Sequence, residues 1–124
     1  MSKLIAKTKP SDQMPSTYNE KYLSILKEII LSIVDTEKVM VFLFGSRVSS
    51  RHCTNTDADI GLFSDDNIPT AVYHQIRNAI DGSIIPWDVD IIDFTRVDPM
   101  FKKEATKDIV IWNKPTAMKK SLTH

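Results

Sequence analysis

Apolar residues recur at helical intervals through Tyr22, Leu26, Ile29, Ile30 and Ile33. That spacing predicts an amphipathic helix over roughly 17–35, with Thr17 and Glu20 in the relation of a capping box. Val39 to Phe44 then form an unbroken apolar run (VMVFLF), the pattern of a strand buried on both faces. A second strand is predicted from Asp57 to Phe63. A second helix follows, with Asp66 or Asn67 as its cap and Pro69 in its first turn, an apolar face of Val72, Ile76, Ala79 and Ile80, and its end at Gly82. Trp87 to Phe94 (WDVDIIDF) reads as a third strand. Asp98-Pro99 has the form of a cap and first-turn proline, opening a short helix that ends near Lys107, and Ile109 to Trp112 reads as a last strand. The fold class is therefore α/β (α+β), one small mixed sheet flanked by helices.

The ends of the chain lack this periodicity. Residues 1–16 are expected to be a polar leader, 17–113 the single domain, and 114–124 a polar tail. At 124 residues with 42% hydrophobic positions the chain suffices for one core of moderate size. Sixteen basic and sixteen acidic residues cancel, so no global field draws the protein to nucleic acid or an anionic membrane. Its aromatics have no basic stripe between them, and nucleic-acid binding is not supported. A lone cysteine, Cys53, rules out an internal disulfide framework; with no secretory h-region or membrane-length apolar run, a cytoplasmic location is expected.

The candidate chemistry lies in FGSRVSSRHCTNTDADIGLF, Phe44 to Phe63. Residues two apart on a strand share a face, so Asp57 and Asp59 project together, about 7 Å apart at their backbones, while Ala58, Ile60 and Leu62 face the other way. Two like charges held so closely call for a cation, and hard oxygen ligands suit Mg²⁺, which takes one or two carboxylates plus substrate phosphates. Asp90 offers a third carboxylate from another strand, with Asp88 two residues away; Asp93 has the opposite parity. Gly45 and Ser46, at the end of the buried strand, form a cradle for phosphate oxygens if Ser46 to about Ser50 makes a helical turn, and Arg47 and Arg51 are candidates for charge-assisted contacts to a triphosphate. An EF-hand is excluded because Ile68 stands where its glutamate belongs, and the Walker A ending is missing. His52 and Cys53 have no further soft ligands for zinc.

Gly45-Ser46, ten intervening residues and Asp57-Ala58-Asp59, followed by Val89 to Phe94, resemble the minimal nucleotidyltransferases of the polymerase-beta superfamily. The likeness covers about 37–113, including FKKEATKDIVIW; Lys107-Asp108 stands where the family often has Glu-Gly. The resemblance implies that Ser46 engages nucleotide phosphate, that Asp57 and Asp59 bind two Mg²⁺ ions, and that Asp90 is the third carboxylate, helping to activate the attacking hydroxyl. It further implies an antitoxin that moves AMP from ATP to a hydroxyl, that of a tyrosine, on a HEPN-family ribonuclease toxin encoded by the adjacent gene, with release of pyrophosphate. Two alternatives stay open: an antitoxin that acts by occlusion alone, and an enzyme modifying a small hydroxylated molecule such as an aminoglycoside, for which a homodimer would supply the missing wall.

Overall fold

The computed structural model describes residues 16–49 and 57–122. Eight elements follow in chain order: α1 (Ser16–Ile33), β1 (Val39–Phe44), α2 (Ser46–Ser49), β2 (Asp57–Ser64), α3 (Thr70–Asp81), β3 (Asp88–Asp93), α4 (Pro99–Ala105) and β4 (Val110–Asn113). The four strands form one mixed sheet in the order β3-β2-β1-β4. β1 runs antiparallel to both neighbours, while β2 and β3 are parallel, joined by the α3 crossover. The mixed sheet expected from the apolar pattern is the one observed.

Every residue of β1 is buried, as an unbroken apolar run in a central strand requires. The sheet therefore has two packed faces. On one, Val39, Val41, Leu43, Ala58, Ile60, Leu62 and Val89 meet Leu26 and Ile30 of α1 and Ile76 and Ile80 of α3. On the other, Met40, Phe42, Phe44, Phe63, Phe94 and Leu122 form an aromatic layer. Gly61 is the gap that admits Phe42: the two are register partners, and a Cβ at position 61 would collide with the Phe42 ring.

Element ends differ from expectation in places, for physical reasons. α3 begins at Thr70 with Pro69 as its N-cap and no side-chain cap. Asp66 and Asn67 do not cap it: the N-cap position lies beyond them, Asn67 Oδ1 accepts instead from Arg96 Nη2 at 3.1 Å, and the Asp66 N–H donates to Ser64 Oγ at 3.2 Å within the turn that follows β2. The Asp98-Pro99 signal is realised: the Asp98 carboxylate accepts from the N–H groups of Met100 and Phe101 at 3.0 and 3.3 Å. β4 is pinned where Asn113 Nδ2 donates to the carbonyls of Thr36 and Val39. Residues 1–15 of the expected leader lie outside the described residues. From the expected tail, Leu122 is buried in the aromatic layer, and the N–H groups of Lys119 and Lys120 each donate to the Asp65 carboxylate at 2.7 Å. Among the described residues, no helix is long and apolar enough to cross a membrane.

Candidate active site

At one end of the sheet the strands place their residues in rows. Phe44, Asp59 and Asp90 are register partners across β1, β2 and β3, and Asp57 pairs with Asp88 one step further out. Register partners share a face, so Asp57, Asp59, Asp88 and Asp90 all project from the side of the sheet that carries the aromatic layer. The sequence placed Asp57, Asp59 and Asp90 together, and the strand pairing does so. It also brings Asp88 opposite Asp57, a juxtaposition that the repeated Asp-x-Asp spacing hints at but that only the β2–β3 register fixes.

The consequence is electrostatic. Asp59 is partly buried, and its carboxyl is held above the usual carboxylate range first by that burial, then by the charges of Asp90 and Asp57. Asp93, of opposite parity, turns to the α3 side. There its Oδ1 accepts from Thr95 N–H at 2.9 Å, and together with burial its charge pushes the Tyr73 hydroxyl well above its ordinary pKa. That hydroxyl is buried without a partner in hydrogen-bonding geometry among the described residues. Asp93 thus stands outside the carboxylate row.

Gly45 ends β1 in the left-handed region, with φ 83°. Its missing side chain is also a matter of space, since a Cβ there would collide with Asp59 Oδ2. The chain then enters α2, closed by Val48 N–H donating to the Gly45 carbonyl at 3.0 Å, so the expected turn after Gly-Ser is present. Ser46 opens α2; its side chain, like all of Arg51, His52 and Cys53, lies outside the described residues. Arg47 spans the site laterally: its Nε donates to the Asp57 carbonyl at 2.6 Å, and its guanidinium carbon lies 3.7 Å from the centroid of the Trp87 ring. Trp87 is itself buried, edge-on to Tyr22 of α1. Arg77 of α3 donates from Nη2 to the Val89 carbonyl on the outer strand, and Arg77, Asp81 and Trp87 line a recess with Asp57, Asp88 and Asp90. Arg77 went unread in the sequence because it falls on the polar side of α3's stripe.

The donors suit a hard divalent cation in kind: oxygen only, mutually repelling, half open to water. Among the described residues, no three His, Cys, Asp or Glu side chains gather closely enough to hold a metal ion between them. One or two carboxylates with substrate phosphates and water are the usual ligand set of Mg²⁺, and a pair from this row fits that pattern in donor type. Chemically, such a site can bind a polyphosphate beside carboxylates able to take a proton from an incoming hydroxyl.

A family model described as polymerase beta, nucleotidyltransferase, matches residues 24–117. A Haemophilus influenzae protein named probable protein adenylyltransferase MntA is 27% identical over 103 residues, covering 77% of this chain and 89% of that protein. Among solved structures, a mutant of the toxin–antitoxin MntA-HpeT superposes with a TM-score of 0.56 at 14% identity, covering 73% of this chain and 71% of the other. A toxin–antitoxin with AMP-PNP gives 0.51 at 17% identity, covering 76% and 72%. A tri-AMPylated Shewanella oneidensis HEPN toxin in complex with MNT antitoxin gives 0.50 at 16% identity, covering 72% and 70%. These structural likenesses establish the fold, and the family match spans most of the chain. With its carboxylate row at the end of a mixed sheet beside a Gly-Ser turn, the chain belongs to the polymerase-beta nucleotidyltransferase family.

Proposed function

We propose that this protein is an antitoxin that transfers AMP from ATP to a tyrosine hydroxyl of a HEPN-family toxin, with Mg²⁺ as cofactor, in the cytoplasm. The observation that carries the chemistry is the row of Asp57, Asp59 and Asp90 on one sheet face, next to the Gly45 turn. The choice of partner is supported by the relatives: one is named a protein adenylyltransferase, and one solved complex holds a tri-AMPylated HEPN toxin.

In this reading Asp57 and Asp59, with Asp90, hold Mg²⁺, which when bound supplies the positive charge that the triphosphate and the carboxylates both need. Gly45 keeps backbone N–H groups of α2 close to the phosphates, and Ser46 adds its hydroxyl. Arg47, tied to Asp57 and Trp87, fixes the distance between α2 and β2, and Arg51 contributes a contact to the triphosphate. Asp90 accepts the proton of the acceptor hydroxyl as its oxygen bonds to the α-phosphorus. The bond from that phosphorus to the bridging oxygen breaks, and pyrophosphate leaves.

The test is transfer of label from ATP carrying a labelled α-phosphate, with Mg²⁺, to the HEPN-family product of the adjacent gene. Label on the partner that disappears in Asp57→Asn is the expected result. A mutant that transfers at the wild-type rate would refute the carboxylate assignment. A tight, unlabelled complex with the wild type would replace catalysis by occlusion.

A further inference from the structure

β3 is an edge strand with a repulsion built into its pairing. Its outer side has no partner strand, and on its inner side Asp88 pairs with Asp57 and Asp90 with Asp59. Like charges directly opposite one another destabilise a strand pair. Both pairs fall at the same end of β2 and β3, so the end of β3 that carries Asp90 is under a force that separates it from its neighbour. On one face that end is held by apolar packing: Trp87, just before the strand, and Val89 are buried among the residues that meet α1 and α3. Those side chains do not hold the strand's outer edge.

Arg77 does. Phe94 N–H donates to the Leu62 carbonyl at 2.7 Å, and backbone groups alternate in direction along a strand, so the even-numbered residues of β3 face β2 while Val89 turns its carbonyl outward. The Arg77 side chain, half-buried on α3, donates to that carbonyl from Nη2. It therefore grips the strand between Asp88 and Asp90, in a recess that Asp57, Asp81, Asp88 and Asp90 also line. Among the described residues no ion pair ties it to those carboxylates. Two effects act together: a charge-assisted hydrogen bond fixes the strand edge, and the positive charge offsets the repulsion while leaving the carboxylates open to a metal. Resting on the adenylyl-transfer reading above, we propose that Arg77 is a positioning residue, which holds the Asp88–Asp90 end of β3 in register on β2 and so keeps Asp90 placed to accept the proton of the acceptor hydroxyl.

The experiment combines hydrogen exchange of the protein without metal or nucleotide and steady-state transfer of AMP to the HEPN-family partner. It uses the wild type, Arg77→Lys, Arg77→Met, and Arg77→Met joined to Asp88→Asn. Met keeps the packing of the stem but neither donor nor charge, whereas Lys keeps both on a shorter reach. In Arg77→Met the Asp90 and Ile92 amides, which face β2, should exchange about tenfold faster, while those shared by β1 and β2 keep the wild-type rate. The kcat should fall about ten- to a hundredfold. The KM for ATP should stay close to the wild-type value, because Gly45, Asp57 and Asp59 are held by β1, β2 and their pairing. Lys should recover much of both losses. Asp88→Asn removes one member of the repelling pairs, so adding it to Arg77→Met should return protection and part of kcat, which a general loss of stability would not allow. Faster exchange across the whole sheet, or a KM for ATP that rises as kcat falls, would make Arg77 an ordinary support of the fold and overturn the proposal. A wild type that transfers no AMP removes the adenylyl-transfer reading and the role given to Asp90 with it, whereas a wild type that transfers normally beside an unaffected Arg77→Met removes this inference alone.

Discussion

Gly45 answers two demands at once, a positive φ and the absence of any atom where Asp59 Oδ2 lies. Alanine meets neither. The left-handed conformation costs an alanine about 1–2 kcal/mol, and the added methyl drives the Asp59 carboxylate out of the row. Gly45→Ala is therefore expected to lower the melting temperature by several degrees and to remove ATP-dependent transfer; one thermal melt and one labelling assay check both. Asp59 makes a different prediction, because its carboxyl is held above the usual range by burial and by Asp90 and Asp57. A raised folded pKa means the folded protein binds the proton better than the unfolded chain. Stability from this group is therefore present at low pH and lost as pH rises from about 4 through the folded value. At pH 7 without Mg²⁺ or nucleotide the charged Asp59 is a liability. Asp59→Asn should then melt higher than the wild type at pH 7, with the advantage vanishing near pH 3, about where the wild-type group is protonated as well. An Asn variant that melts lower at neutral pH would contradict this account of the carboxylate row. The same substitution should abolish transfer, so stability and activity move in opposite directions at one residue.

Between elements, Arg47 is the connection that matters most to the site, since it reaches from α2 to the first residue of β2 and lies over Trp87. Lysine keeps the charge but has neither the Nε–H nor the flat face. If Arg47 acted only as a positive charge near phosphate, Arg47→Lys would leave the KM for ATP nearly intact. The contacts predict instead that Lys behaves much like Ala, with a loss of about 1–2 kcal/mol of stability and a fall in kcat from a displaced Asp57, measured by denaturant unfolding and initial rates. Much of this scale was legible beforehand. β1 announced itself as an unbroken apolar run, and α4 by Asp98-Pro99, because both signals are local. α3 starts later than its capping signal because the Asn67 side chain is taken by Arg96, 29 residues away, while Asp66 lies in the turn after β2, its N–H on Ser64 Oγ. Within the site, strand parity grouped Asp57 with Asp59 and the resemblance added Asp90, whereas the pairing of Asp59 with Asp90 and of Asp57 with Asp88 depends on the parallel register of β3 on β2.

Over the whole molecule, the C-terminal stretch is what converts an open sheet face into a packed one. Leu122 is the last apolar residue of a polar segment, with no periodicity to betray it, yet it is buried among Met40, Phe42, Phe44, Phe63 and Phe94. Its anchor is Asp65, more than 50 residues earlier, whose carboxylate accepts both the Lys119 and Lys120 N–H groups. Those hydrogen bonds favour the charged form and hold Asp65 below the usual carboxylate range, Lys119 contributing most. For a depressed carboxylate the stability is present above the unfolded pKa, near 4, and is lost as pH falls through the lower folded value. The tail should consequently undock in mild acid before the sheet unfolds, visible as loss of hydrogen-exchange protection at Lys119 and Lys120 below about pH 4. Asp65→Asn keeps one acceptor oxygen but no charge, so it should show the same loss of protection already at pH 7. Leu122→Ala removes the apolar half of the latch and should cost about 2 kcal/mol at neutral pH, with the cost fading in the acid range where the tail is already undocked. Because the layer that Leu122 completes reaches Phe44, the register partner of Asp59, loosening it should also lower the rate of transfer. A Leu122→Ala protein with wild-type stability and a wild-type transfer rate would show that the tail neither closes the face nor supports the strand end that carries Asp59.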